Sequence, residues 1–500
     1  MTMIKGENKM NTFMNNLNKA TNFTTTANGA LAHKTTGSKV YDMFAFGGAY
    51  RNRSVEDCIL LFKNAFEENQ DLALKCLFYM RDVRRGQGER RFFRECFKWL
   101  CAKYPEVAKK NLRYVPEFGR WDDLLYGTSN AIFFTALALI KRQLALDVQC
   151  MTPSLLAKWL PSENASSQST KKMGNIVRKY LNLSHREYRK MLSSLRERIN
   201  IVEKLMSENK WDEIEFDKIP SKAGLIYRNA FARNDIIGER YKLFIESKNT
   251  VVNANTLYPY EIVDKAIDSV KYRNAGNLAD IERETLEKYW NNLPDYLNGK
   301  PCKMMCVVDT SGSMTCGNPA PINVAISLGM YCAERIGGDF KNHFISFSHN
   351  PQFIKIEGVD FCHKVQNIYR RNEIANTDLV KTFNLILDMA RKSNPKDIPE
   401  TIVVISDLQI DQNSYWRDTY QAKTDMELMR EKWERFGLKM PKLVYWNVNA
   451  KKETILDDGP NVSYVSGCSP ILFEQIVRGM TGIDLMFEKL MSERYAVISA

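Results

Sequence analysis

Between residues 300 and 480, short apolar runs alternate with amphipathic helical patterns, and this order restricts the fold more than any other feature of the chain. The strand candidates are 303–308, 343–347, 401–406, 442–448 and 462–465. Helical patterns lie between and after them at 321–336, 379–392, 419–436 and 469–478. Strands that are apolar along their whole length need cover on both faces, so the pattern predicts a mostly parallel, doubly wound, Rossmann-like α/β sheet. No Gly-rich loop joins a strand to a helix, and Gly337-Gly338-Asp339 follows a helical pattern and reads as a helix stop. A nucleotide site is therefore not expected.

The first strand run leads into Asp309-Thr310-Ser311-Gly312-Ser313. One carboxylate and two hydroxyls, all hard oxygen donors, thus fall on a single tight loop. In open α/β sheets, ligands bind at the carboxyl ends of the strands. Mg²⁺ or Mn²⁺ suits such a set, because Mg²⁺ takes few protein oxygens and keeps several waters. Two more donors belong to other loops: Thr377, in Asn376-Thr377-Asp378 ahead of a helical stripe, and Asp407, after the run 401–406. The candidate metal ligands are Asp309, Ser311, Ser313, Thr377 and Asp407. An N-capping aspartate with two turn serines is the plainer alternative. The triplet and its two partners resemble the metal-ion-dependent adhesion site of von Willebrand factor A domains. Leu408 departs from that pattern, since many A domains have Gly after this aspartate.

Residues 41–295 read as helical. Apolar stripes recur at helical spacing in Val55–Phe66, Leu72–Met80, Phe92–Leu100 and Ile132–Leu146, with prolines 105, 116, 153 and 161 between them. Helical hairpins of this length stack into solenoids, so a HEAT-like helical domain is expected ahead of the α/β domain at 296–500. Residues 1–40 are polar and are expected to be a flexible segment, with a first strand or turn at 40–46. No apolar run is long enough for a membrane span, and the Asn/Thr-rich start is unlike a signal peptide. Eleven cysteines, with no Cys-x-x-Cys pair, point to buried thiols in a reducing cytoplasm. The five scattered histidines lack zinc-ligand spacing.

Charge is divided unevenly. Residues 1–300 carry 48 Lys and Arg against 35 Asp and Glu, whereas 301–500 carry 23 against 24. The basic excess belongs to the helical part and concentrates in 81–113 and 171–198, a distribution that attracts polyanions. In the first segment, Arg84, Arg85, Arg90 and Arg91 flank a turn with two glycines, which is expected to present the guanidiniums on one surface. In the second, Lys171, Lys172, Arg178, Lys179, Arg186, Arg189 and Lys190 are interleaved with Tyr180 and Tyr188. Aromatics among cations suit single-stranded RNA, whose bases stack while its phosphates are neutralised. The bland alternative is a set of solvated helix faces with the tyrosines in the core.

Several further segments carry a family resemblance: Arg81-Asp82-Val83-Arg84-Arg85-Gly86-Gln87-Gly88, Phe118-Gly119-Arg120-Trp121-Asp122-Asp123-Leu124, Ala157-Lys158-Trp159-Leu160-Pro161-Ser162 and Leu257-Tyr258-Pro259-Tyr260-Glu261-Ile262. With these and the metal triplet, the chain resembles an uncharacterised family of plants, bacteria and phages. Its architecture is similar to that of the Ro autoantigen (TROVE-domain) class, in which helical repeats and an A domain combine. The resemblance implies an RNA-binding ribonucleoprotein scaffold or quality-control factor. Its RNA would be small, non-coding or structured, with single-stranded ends, and its A domain would hold Mg²⁺. The alternative is a metal-dependent protein-interaction module, in which the metal captures an acidic side chain of a partner and RNA plays no part. An enzyme is not expected, because metal-assisted phosphodiester hydrolysis usually clusters more carboxylates around two ions than Asp309 and Asp407 supply.

Overall fold

Among the described residues, the chain runs from a short hairpin, β1 (Phe23–Thr25) and β2 (Leu31–His33), through sixteen α-helices between residues 39 and 291, into a six-stranded sheet. The computed structural model describes residues 21–199, 201–271, 280–347, 350–371, 378–411 and 423–500. The sheet comprises β3 (Met304–Asp309), β4 (His343–Phe347), β5 (Gln352–Lys355), β6 (Thr401–Ser406), β7 (Lys442–Asn447) and β8 (Val462–Ser466), in the order β5-β4-β3-β6-β7-β8. All pairings are parallel except β4 with the edge strand β5. The five expected strands are all present. Their residues are buried almost throughout, as both-face cover requires.

The helical part begins and ends on the α/β part. Helix Lys39–Phe46 packs on β8, where the Tyr464 amide donates to the Tyr41 hydroxyl at 2.7 Å. Gly48 then passes so close to β8 that a Cβ there would lie 2.9 Å from the Ser466 carbonyl oxygen. At the other end, helix Pro259–Lys271 packs on helices Pro321–Arg335 and Phe361–Arg371, and the Trp290 ring stacks on Phe361 at 4.8 Å. The carboxyl-terminal residues return to the helical part, where Arg494 and the Tyr495 hydroxyl bind the buried Asp82 carboxylate. The two parts are therefore interlocked through three separate contacts.

Two expectations require correction. Residues 40–46 form a helix, not a strand or turn. Ser38 caps it by accepting from the Tyr41 amide, and the run Val40–Phe46 is buried on every side, which leaves no helical stripe to read. The expected flexibility of 1–40 also fails for its described half. The hairpin packs on the α/β part, with Ala30, Ala32 and His33 buried, and backbone bonds pair His33 with Ile455 in both directions. Residues 1–20 lie outside the described residues.

His33 latches this hairpin. Its ring is 3% exposed, and Nε2 lies 2.8 Å from Glu427 Oε1. Burial opposes the charged ring, but the Glu427 hydrogen bond and the carboxylates of Glu427, Asp458 and Asp457 outweigh it and raise the His33 pKa. Burial likewise opposes the Glu427 carboxylate, whose pKa is nevertheless held low by hydrogen bonds from His33 and the Thr424 amide. A raised histidine stabilises fully below its unfolded value, about 6.5, and loses that contribution as pH rises through the folded value. A depressed glutamate stabilises fully above its unfolded value, about 4.3. The latch is thus strongest between those limits. Amide-exchange protection of residues 30–34, corrected for intrinsic rates, is expected to fall several-fold as pH rises past the His33 value. A His33→Gln variant should show no such step.

Candidate metal and polyanion sites

β3 is followed by β4 on one side, and after β5 the chain crosses to β6 on the other, so the sheet reverses direction between β3 and β6. That topological switch point is where open α/β sheets place ligands. Asp309 ends β3 and Asp407 directly follows β6, which puts both fully buried carboxylates at its carboxyl edge. Asp309 Oδ1 accepts the Ser311 amide at 2.9 Å, and its Oδ2 accepts the Ser406 hydroxyl at 2.5 Å. The Ser311 and Ser313 hydroxyls lie 3.2 Å apart on the same loop. Burial, and then the charge of Asp407, push the Asp309 carboxyl up to about 7.

Four of the five expected ligands, Asp309, Ser311, Ser313 and Asp407, therefore come from the two loops flanking the switch point. Thr377 lies outside the described residues. The neighbouring Asp378 caps helix Leu379–Ala390 by accepting the Lys381 amide.

The residues fit a hard dication on the structure's own terms. Two buried carboxylates lie within electrostatic range of each other, and the Ser406 hydroxyl donates to one of them. Among the described residues, Asp407 Oδ2 has no hydrogen-bond donor, although the Lys451 ammonium approaches to 3.2 Å, and Thr310 Oγ1 is buried without a partner. Ser406 and Lys451 are absent from the sequence-derived set. A hydroxyl closing a strand beside Asp407 was a readable signal for Ser406. Lys451, far along the chain after β7, carried none.

Leu408 answers the departure noted in sequence. It adopts φ +57°, the left-handed region a glycine would occupy at about 1–2 kcal/mol less cost. Its side chain is fully buried, and its amide donates to Ser406 Oγ at 2.9 Å. The next residues are gripped by the amino-terminal hairpin: the Thr26 hydroxyl donates to the Ile410 carbonyl at 2.6 Å, and Asn28 Nδ2 donates to the Gln409 carbonyl at 2.7 Å.

The first basic segment does not present its four arginines together. Arg91 turns inward, with Nη1 donating to the Arg53 carbonyl at 2.6 Å, and Arg84 donates to the Glu117 carbonyl at 2.9 Å. Arg85 lies within electrostatic range of Tyr296 and Lys489, at the junction with the α/β part, and Arg90 faces Arg94 and Arg120. The glycines serve close packing: a Cβ on Gly86 would meet the Tyr79 carbonyl at 2.0 Å, and one on Gly88, at φ +66°, the Tyr258 hydroxyl at 1.9 Å.

The second segment forms helices Gln168–Leu181 and His185–Arg198. Lys172, Lys179, Arg186, Arg189 and Lys190 are exposed, and none pairs with a carboxylate among the described residues. Lys171 is half-buried. Arg178 is held by Glu163 at 2.8 Å, and Tyr188 is core, its hydroxyl donating to the Pro161 carbonyl. Tyr180 packs beside Phe134, which is 67% exposed and went unnoticed in sequence because it lies on another helix.

A helical region interlocked with a mostly parallel α/β sheet, carrying buried carboxylates at its switch point, defines the class of protein. Two family descriptions match the chain: a Domain of unknown function (DUF2828) over residues 26–126 and 142–300, and a Domain of unknown function (DUF7788) over 303–491. The first covers just over half of the chain, which belongs to that family. The uncharacterized protein L728 of Acanthamoeba polyphaga mimivirus is 26% identical over 501 residues, spanning 91% of this chain and 85% of the viral one. Among solved structures, the Ro (RSR) protein of Deinococcus radiodurans aligns with 88% of this chain and 93% of its own at 13% identity and a TM-score of 0.39. At that similarity nothing about ligand or activity transfers. No helix among the described residues is long and apolar enough to cross a membrane.

Proposed function

We propose that this protein binds RNA through its helical part and a divalent cation through its α/β part, acting as a scaffold and not as an enzyme. The observation that carries the RNA reading is the set of exposed cations on helices Gln168–Leu181 and His185–Arg198 that have no carboxylate partner among the described residues, with Tyr180 of the first helix beside the exposed Phe134 ring. Phosphates would be neutralised there while a base stacks on the aromatic pair. The two-part order, similar to that of the Ro class, favours the same reading. Asp309, Ser311, Ser313 and Asp407 would hold Mg²⁺ or Mn²⁺, with Thr377 as the family-like fifth donor. When bound, the cation supplies an open coordination position for a carboxylate of a partner protein.

The protein's own residues fix that site. Ser406 and the Ser311 amide orient Asp309, and Leu408 holds the β6 loop closed beneath Asp407. The test is recovery and sequencing of crosslinked RNA, with binding measured across a salt series. Reversing Arg186, Arg189 and Lys190 to glutamate is expected to weaken binding at least tenfold and to reduce the log–log salt slope by about 2, at roughly 0.7 for each single-strand phosphate that is no longer neutralised. Unchanged affinity and slope would defeat the RNA reading at this surface. A chain that retains no RNA but captures an acidic protein in a Mg²⁺-dependent way would favour the interaction module.

A further inference from the structure

Two segments singled out in sequence, residues 118–124 and 157–162, are distant along the chain but meet in space. The Arg120 guanidinium stacks on Trp159 at 4.0 Å from the ring centroid, and its Nε and Nη2 grip Asp122 at 3.0 and 2.8 Å. Beside this contact opens a cleft of about 470 Å³, lined by Arg94, Lys158 and Arg196 with Asp122 as the one carboxylate. A second cavity of about 680 Å³ shares Lys158, Ser162 and Arg196 with it. Both volumes fall within the range of small-ligand sites.

The charge here is unbalanced. Arg196 gives three of its five N–H donors to neutral acceptors, the carbonyls of Ala157 and Leu160 and the hydroxyl of Ser162, at 2.9, 2.9 and 3.0 Å, and two remain. No carboxylate among the described residues pairs with it. Lys158 has only Glu203, at 4.0 Å. Arg94 is held by Asp122 at 2.9 Å and Asp123 at 2.6 Å, so the lining cations without a close carboxylate are Arg196 and Lys158. Such a group of cations is relieved by an anion.

The first turn of helix Gln168–Leu181 closes the cleft with Ser169 and Thr170. Gly174 lets this helix approach until a Cβ would stand 3.0 Å from the Pro161 carbonyl. The amino-terminal dipole of the helix thus adds to the positive field. Tyr126 and Trp159 supply the aromatic wall.

We propose that this cleft holds one nucleotide unit of single-stranded RNA, its phosphate against Lys158, Ser162 and Arg196 and its base against Tyr126 and Trp159. The proposal rests on the RNA reading above and gives it a built binding position, separate from the open helix faces. A phosphate contact between Lys and Arg groups, with a base on an aromatic ring, is the usual chemistry of single-strand capture.

The test uses the full chain, a fluorescein-labelled oligouridylate and the variants Lys158→Glu and Ser169→Glu. Arg196 is left intact, because its three bonds clamp residues 157–162. A glutamate at exposed position 169 favours the first turn of its helix, so that variant folds while repelling phosphate. Both variants are expected to weaken binding at least tenfold at low salt. Photo-crosslinks from a 4-thiouridine oligonucleotide should map to residues 157–162. Wild-type affinity in both folded variants, with crosslinks confined to 186–190, would overturn the cleft and leave the RNA reading standing. A wild-type chain that ignores oligouridylate at low salt would overturn both.

Discussion

Asp123→Ala is expected to destabilise the helical part by about 3–5 kcal/mol, the usual cost of removing one partner of a buried ion pair. Asp123 is fully buried and collects four donors. Arg81 reaches Oδ2 through Nε at 2.8 Å and through Nη2 at 2.7 Å, Arg94 Nε reaches Oδ1 at 2.6 Å, and the Arg120 amide reaches Oδ2 at 2.9 Å. Arg81 is itself only 2% exposed. Without the carboxylate, its charge has no buried anion to face and no route to water. A cavity term does not explain the cost, because Asp and Ala differ little in volume. The charge does. Replacing both partners with apolar residues, Arg81→Met with Asp123→Leu, should therefore recover much of the loss. Urea unfolding of the wild type and both variants measures this. If the double variant is no more stable than Asp123→Ala, the unpaired guanidinium is not the cause.

How much of this was legible in the sequence depends on whether the determining contacts are local. β3, β4, β6, β7 and β8 were readable because each is buried nearly end to end, and composition alone then marks the strand. β5 was not, since only one of its four residues is buried, as befits an edge. Helix Phe361–Arg371 also passed unread. The hairpin β1–β2 is only three residues a side, and its order comes from residues 409–411, Ile455 and Glu427, about four hundred positions away. No local pattern encodes such contacts.

The sites divide along the same line. Strand ends fixed the positions of Asp309 and Asp407, because a residue just past a buried strand has only one edge to occupy. In the arginine turn, Arg84, Arg85 and Arg90 are exposed and Arg91 turns inward, a difference that composition does not record. Arg91 spends its charge on the carbonyls of Arg51 and Arg53. Likewise, Arg120 and Trp159 meet through tertiary packing alone, although each was visible as part of a distinct segment.

Mg²⁺ is expected to raise the melting temperature of the wild-type chain by several degrees, and Asp309→Asn to abolish that response while making the metal-free protein more stable. The cause is a pair of buried carboxylates with too little charge opposite them. Burial and Asp407 raise the Asp309 pKa, so the metal-free fold carries an electrostatic cost at neutral pH. Asparagine removes one charge, keeps one oxygen for the Ser311 amide, and turns an NH2 toward the Ser406 hydroxyl, which can accept as well as donate. The cost falls, and the reason for a dication falls with it. At a hundred times its dissociation constant, a ligand of the folded state adds about 2.7 kcal/mol, a shift that melting in Mg²⁺ against EDTA resolves.

Lys451 supplies the opposite sign. Its ammonium, 3.2 Å from Asp407 Oδ2, is the nearest counter-charge among the described residues. Lys451→Ala should therefore lower the stability of the metal-free protein and enlarge the Mg²⁺ shift, since the dication no longer competes with an ammonium for Asp407. A capping aspartate with two turn serines predicts neither result: Asp309→Asn would then simply destabilise, and Lys451→Ala would leave the Mg²⁺ response near zero. Loss of the Mg²⁺ shift in Asp309→Asn together with its enlargement in Lys451→Ala is the outcome that a cation site produces and a capping aspartate does not.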